Sequence, residues 1–211
     1  MKLTVHTFVT LDGVMQGPGG PEEDTSGGFR HGGWVVPLID DDFGRIVDGW
    51  FGQADEILLG RTTYDMMFAF WSQITDPDDS VGAALNTLPK HVASRTLADA
   101  TWNNARVIRG DVVEAVRELK ERPGRELQVH GSCGLLHTLH DAGLIDEYRL
   151  LVFPLVLGTG KRLFRDGGAA SGFTLVDSSI TSTGAVYEVL RPGPIATGGD
   201  IEIVDGREVI R

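Results

Sequence analysis

The chain has 211 residues, 41% of them hydrophobic, with a formal net charge of −11 and one cysteine. That length supports a single core without staples, and the lone Cys133 excludes an internal disulfide. The acidic balance argues against general nucleic-acid binding, which draws on basic surface, and no apolar run approaches the ~20 residues that span a bilayer; the expectation is a soluble cytoplasmic protein with a small-molecule partner, no nucleic acid and no membrane.

Residues 2–11 alternate and are rich in β-branched types, which predicts a strand ending at Asp12-Gly13. Residues 16–33 hold seven glycines and two prolines, a long loop of the kind that is usually functional. Phe29 and Trp34 near its end would form an apolar lid over a planar ring or anchor the loop to the core. Asp40 to Gln53 carries Phe43, Ile46, Val47, Trp50 and Phe51 at helical spacing behind the acids Asp40, Asp41 and Asp42. Carboxylates there complement the helix dipole.

The segment Ile57-Leu58-Leu59 reads as a short buried strand that stops at Gly60 and turns directly into a helix bearing Tyr64, Met67, Phe68 and Trp71. At the junction, Gly60 permits close approach to the backbone, Arg61 supplies a forked cationic donor, and Thr62 and Thr63 add hydroxyls. The first amides of a helix favour an anion, so this strand end predicts a nucleotide phosphate site. Residues 72–87 are polar, then helical. Lys90–Ser94 is a short strand running into Ser94-Arg95-Thr96, a second hydroxyl–guanidinium cluster suited to an added phosphate.

Ala105–Ile108 is another strand, Asp111 caps a helix reaching Arg122, and Pro123-Gly124 breaks it. Glu126–His130 is a strand followed by Gly131-Ser132-Cys133-Gly134 and a helix to Ala142, a third strand-to-helix turn whose amides would cradle a diphosphate, with Leu135 behind them. Cys133 is read as a small buried hydrophobe rather than a reactive thiol. His130, His137 and His140 lack the cysteine or carboxylate that completes a metal set, so no metal site is predicted. Tyr148–Pro154 is a strongly apolar strand, with Phe153 and Pro154 at its end, and Lys161-Arg162 follow the Gly158-Thr-Gly160 turn. Residues 173–180 and 184–190 form a closing antiparallel pair. Asp205-Gly206, between alternating flanks, signals a hairpin in the tail.

Thr10-Leu-Asp-Gly13, Leu59-Gly-Arg-Thr-Thr-Tyr64, Ser94-Arg-Thr96, Val129-His-Gly-Ser-Cys-Gly134 and the stretch from Asp146 to Phe164 occur in an order and spacing that resembles the dihydrofolate reductase-like family. The resemblance is to the branch related to the C-terminal reductase domain of riboflavin biosynthesis and covers about residues 1–190, giving an expected domain at 1–191 and an extension at 192–211.

It implies a three-layer α/β fold: a central, mostly parallel mixed sheet with helices on both faces and an antiparallel C-terminal strand pair. It also implies an NADPH-dependent reductase passing hydride to a pterin- or pyrimidine-like heterocycle. On that resemblance Gly60, Arg61, Thr62 and Thr63, with Ser94, Arg95 and Thr96, hold the adenosine phosphate end. Gly131, Ser132, Cys133, Gly134 and Leu135 hold the diphosphate, and Gly13 and Val14 lie near the nicotinamide. Asp12 and Asp42 are the candidate proton donors, and Trp34, Tyr64 and Phe153 border the substrate. No acid on the first helix aligns with the pterin-anchoring carboxylate of true dihydrofolate reductases, and the deaminase zinc signature is missing. A nucleotide- or flavin-binding protein of the same fold without robust catalysis is the alternative. The tail hairpin and the β-rich C-terminal section leave an edge that a second copy would cover as a homodimer.

Overall fold

Alternation at the N-terminus produces β1 (Lys2–Thr10), and the other periodic segments follow where pattern and breakers place them. In the computed structural model, which describes all 211 residues, these are α1 (Asp41–Phe51), β2 (Ala54–Gly60), α2 (Arg61–Trp71), α3 (Ser80–Thr87), β3 (Lys90–Ala93), β4 (Ala105–Ile108), α4 (Val112–Glu121), β5 (Glu126–His130), α5 (Cys133–Asp141), β6 (Glu147–Phe153), β7 (Gly172–Ile180), β8 (Val186–Gly193), β9 (Ile201–Val204) and β10 (Arg207–Ile210). Eight strands form one sheet in the order β4-β3-β2-β5-β1-β6-β8-β7. The six strands from β4 to β6 are parallel to their neighbours, and β8 and β7 close the edge antiparallel.

Strand periodicity sends alternate side chains to opposite faces, and both faces are covered. Leu3, Val5 and Val9 of β1, Leu127 and Val129 of β5 and Leu58 of β2 pack with Val116 and Leu119 of α4 and Leu135, Leu136 and Leu139 of α5. On the other face Phe8, Leu151 and Phe153 meet Phe43, Ile46, Val47 and Trp50 of α1. Ile57, Leu59 and Val92 meet Tyr64 of α2 and Leu85 of α3 there too. This is the expected three-layer arrangement.

The helix starts differ. Asp40, Asp79 and Asp111 each turn a carboxylate onto the first-turn amides of α1, α3 and α4, respectively. Gly60 and Ser132, which precede α2 and α5, provide no side-chain cap. The tail folds as a two-stranded sheet of its own, β9 with β10, turned by Asp205 and Gly206 at φ 51° and 75°, as the Asp-Gly signal predicts.

Candidate active site

The parallel strands β1 to β5 end along one edge, where ligands of open α/β sheets collect. A cleft of about 1680 Å³ opens there. Its floor is the sheet: His6, Thr7 and Phe8 of β1, Gly60 of β2, Ala93 of β3, Ile108 of β4 and His130 of β5. One wall is the apolar side of α1 and α2, with Phe43, Val47, Trp50, Phe51, Met66, Met67 and Phe70. The loop from Met15 to Asp24 and Lys161 form the opposite rim.

Two strand-to-helix turns lie side by side in the cleft, on the neighbouring strands β2 and β5, and are tied by one side chain. Gly131 has φ 55° and Ser132 has φ 60°, consecutive left-handed residues that reverse the chain between β5 and α5. A serine there is strained, and three hydrogen bonds hold it. Its amide donates to Thr63 Oγ1 at 3.0 Å, its hydroxyl donates to the His130 carbonyl at 3.0 Å, and the hydroxyl accepts from the Gly60 amide at 2.9 Å. The start of α2 and the start of α5 are thereby locked in register, with uncapped first turns and positive dipole ends turned to the same space. Arg61 and Arg95 border that space; Arg61 is steadied by an ion pair with Asp65 one turn along α2.

Of the residues expected at the cofactor, Gly60, Arg61, Thr62, Thr63, Ser94, Arg95 and Gly131 through Leu135 line the cleft. Others do not. Asp12 closes a loop: it accepts from the Thr10 hydroxyl at 2.6 Å and from the Leu157 and Gly158 amides at 3.2 and 2.9 Å, and Arg162 lies against it. Those hydrogen bonds, the Thr10 hydroxyl foremost, lower its pKa to about 2, so at neutral pH it has no proton to give. Asp42 pairs with Arg45 and accepts from the Ser182 amide at 2.9 Å, fastening the start of α1 to the β7–β8 turn.

Gly13 and Val14 sit behind the rim, where Val14 donates to Thr10 Oγ1 and is fully buried; their neighbours Met15 and Gln16 face the cleft instead. Thr96 is exposed beyond it and donates its amide to Ser94 Oγ. Tyr64 is buried in the core, its hydroxyl accepting from the Trp102 amide at 3.0 Å. Trp34 anchors the glycine-rich loop through Nε1 to the Gln16 carbonyl at 2.8 Å and packs on buried Phe153 at 5.6 Å between ring centroids. Neither touches the cleft, and Phe29 is equally buried; the aromatic lid is a loop anchor.

The structure brings to the cleft Asp48, Glu23 and His6, which the sequence did not single out, and His130, weighed there only as a metal ligand. Asp48, on the cleft side of α1, accepts from the Ser80 hydroxyl. Glu23 also lines the cleft, and burial raises its carboxyl pKa above the ordinary value. His6 and His130 lie on the floor, with ring centroids 5.1 Å apart, and burial lowers the pKa of both. Cys133 borders the cleft, where burial pushes its thiol pKa up, in keeping with an unreactive role.

Residues 1–187 match the family model for the RibD C-terminal domain. The chain belongs to that family. An uncharacterised protein of Bacillus subtilis, YyaP, is 32% identical over 190 residues, which is 89% of this chain and 93% of that relative. A putative riboflavin biosynthesis protein from a Shewanella species superposes with a TM-score of 0.68 at 20% identity, over 92% of this chain and 99% of that one. Dihydrofolate reductase from Enterococcus faecalis, solved with NADP(H), superposes with a TM-score of 0.57 at 13% identity, over 90% of this chain and 96% of the other. The family is that of the RibD C-terminal domain, and the fold is shared with the Shewanella protein and with dihydrofolate reductase.

Proposed function

We propose that this RibD-type chain is an NADPH-dependent reductase that delivers hydride to a small heterocycle of the pyrimidine or pterin class. The observation that carries the reading is the pair of uncapped helix starts, α2 and α5, tied by Ser132 at the C-terminal edge of the sheet. In an acidic chain, two such turns beside Arg61 and Arg95 suit a dinucleotide. Amides from Gly131 to Leu135 would hold the diphosphate, and Arg61, Thr62, Thr63, Ser94 and Arg95 the adenosine end with its additional phosphate.

When bound, NADPH supplies the hydride; the protein supplies orientation and a dry wall. Phe43, Val47, Trp50 and Phe51 would exclude water from the reacting face. Asp48 and Glu23 replace Asp12 and Asp42 as carboxyl candidates for proton supply, since both open onto the cleft and the raised pKa of Glu23 favours its protonated form. Self-association belongs to the same reading: β7 is an exposed edge strand that carries Leu175, Val176 and Ile180, and a second copy would cover it. Residues 192–211 are taken as an extension to the reductase body.

Titrating the protein with NADPH and with NADH, following quenching of tryptophan fluorescence from Trp50 in the cleft wall, tests the reading. Micromolar NADPH binding with NADH at least about ten-fold weaker is expected, because one additional phosphate contact is worth more than 1.4 kcal/mol. Equal or absent binding of both would remove it. An acceptor screen for NADPH oxidation then separates an enzyme from a nucleotide-binding protein.

A further inference from the structure

His6 Nδ1 and Trp50 Nε1 are the buried side-chain polar atoms that lack a hydrogen-bond partner. Both residues line the same cleft, and their rings meet edge to face at 5.1 Å. Trp50 packs against the ring of Tyr187 with centroids 6.2 Å apart; its indole N–H is a donor, which leaves His6 Nδ1 as the atom of the two whose role depends on the ring's tautomer. An orphan buried polar atom is expensive in a folded protein, so its place in a ligand cleft calls for an explanation.

The neighbouring bonds fix what kind of atom it is. Beneath the floor, Glu126 is ion-paired with Arg149, which also bridges Glu147. Thr4 Oγ1 donates to Glu126 at 3.4 Å, so it accepts from His6 Nε2 at 3.0 Å. The proton of His6 therefore sits on Nε2, and Nδ1 is a bare lone pair. His130 repeats the arrangement. Gln128 spends its amide hydrogens on the Trp50 carbonyl and on Glu126, each at 2.7 Å, which turns its oxygen to His130 Nε2 at 3.1 Å. That oxygen accepts, so His130 also carries its proton on Nε2 and leaves Nδ1 unprotonated. Burial lowers the pKa of both rings, that of His130 to about 3, so both stay neutral at physiological pH. The two rings stack at 22°, and Phe51 stacks on the far side of His130 at 4.5 Å and 2°, which holds the column rigid.

We propose that His6 and His130 form a paired hydrogen-bond acceptor in the cleft floor, and that it selects a planar heterocycle presenting N–H groups, such as ring N–H or exocyclic amino donors. The proposal rests on the reductase reading only in taking the acceptor substrate to lie over this floor. A carbonyl or carboxylate oxygen set against the two histidines meets two lone pairs, whereas an amino-substituted pyrimidine edge there satisfies the orphan atom. A site built around a buried acceptor discriminates strongly against an analogue without the donor.

The test uses 2,4-diaminopyrimidine and its N-permethylated analogue as probes, titrated calorimetrically into ligand-free and NADPH-saturated protein. Wild type should bind the diamino compound at least about ten-fold more tightly. His6→Phe and His130→Phe, which keep the ring volume and delete the acceptor, should each shrink that ratio toward one and leave NADPH affinity unchanged. An undiminished ratio in His6→Phe, or no binding of the diamino probe by wild type, overturns the proposal. Nitrogen-15 NMR of histidine-labelled wild type, independent of any variant's folding, should show both rings with Nε2 protonated and Nδ1 bare, and a proton on Nδ1 of His6 overturns it too. NADPH affinity in the same samples reports separately on the reductase reading, so a failure of one is distinguishable from a failure of the other.

Discussion

The five helices divide by how their first turns are closed. α1, α3 and α4 begin under an aspartate that accepts from the backbone, while α2 and α5 begin under Gly60 and Ser132, neither of which turns a side chain onto the helix. The capped starts also border the cleft, through Ile39, Val81 and Val112, but their first-turn amides are taken up by the caps, and Asp40 is further bound to Ser182 and Thr183. The uncapped starts both sit at strand ends in the cleft. A cap there would spend on the protein the donors that an anionic ligand needs. The same sequence therefore assigns aspartate to structural helix starts and withholds it where binding is proposed.

Reversing the assignment should have the largest effect. Gly60 has φ −74°, and an added Cβ would meet Ser132 no closer than 3.5 Å, so Gly60→Asp fits the backbone and gives α2 a cap. Its melting temperature should hold or rise slightly, and its NADPH affinity should fall on the order of 100-fold because a carboxylate opposes the phosphate. A variant that binds NADPH normally would break the comparison. Arg61→Ala removes a charged donor beside the uncapped turn. The Michaelis constant for NADPH should rise roughly ten-fold or more with turnover little changed, read from steady-state kinetics with whichever acceptor supports oxidation.

Carboxylates committed to structure should behave in the opposite way. Asp12→Asn loosens the loop that joins residue 12 to the Leu157–Gly158 turn and should lower the melting temperature by roughly 2–4 °C at neutral pH. Because the folded pKa of Asp12 is depressed from 3.8 to about 2, its contribution is fully present above the unfolded value and is lost as pH falls through about 2. The variant's stability should accordingly converge on wild type across that acid window, as followed by thermal melts. Asp111→Ala, at the capped start of α4, should cost about 1 kcal/mol of stability with NADPH affinity unaltered; a change in affinity would blur the distinction between the two groups of helices.

Much of this division was legible in the sequence. Apolar runs followed directly by Gly60-Arg61-Thr62 and Gly131-Ser132-Cys133 mark strand-to-helix turns because no polar linker intervenes. Sheet composition and the tail turn followed from period-two patterning and Asp205-Gly206. The aromatic assignments were not legible, since Trp34, Tyr64 and Phe153 have the composition of a lid and of a core alike, and only their contacts decide. Asp12 and Asp42 looked available because sequence does not show that Thr10, Leu157, Gly158 and Ser182 converge on them. The floor was hidden for a different reason. His6 and His130 occupy alternate positions in strands that read as ordinary β-patterned segments, and their pairing depends on the register that sets His6 opposite His130.

The most direct measurement is a backbone amide NMR titration with NADPH. The largest shifts are expected at residues 61–63 and 133–135, the uncapped first turns of α2 and α5, and clearly smaller ones at residues 80–82 and 112–114, where Val81 and Val112 also line the cleft but the caps hold the amides. Shifts spread evenly over capped and uncapped turns, or confined to residues away from the cleft, would contradict the account.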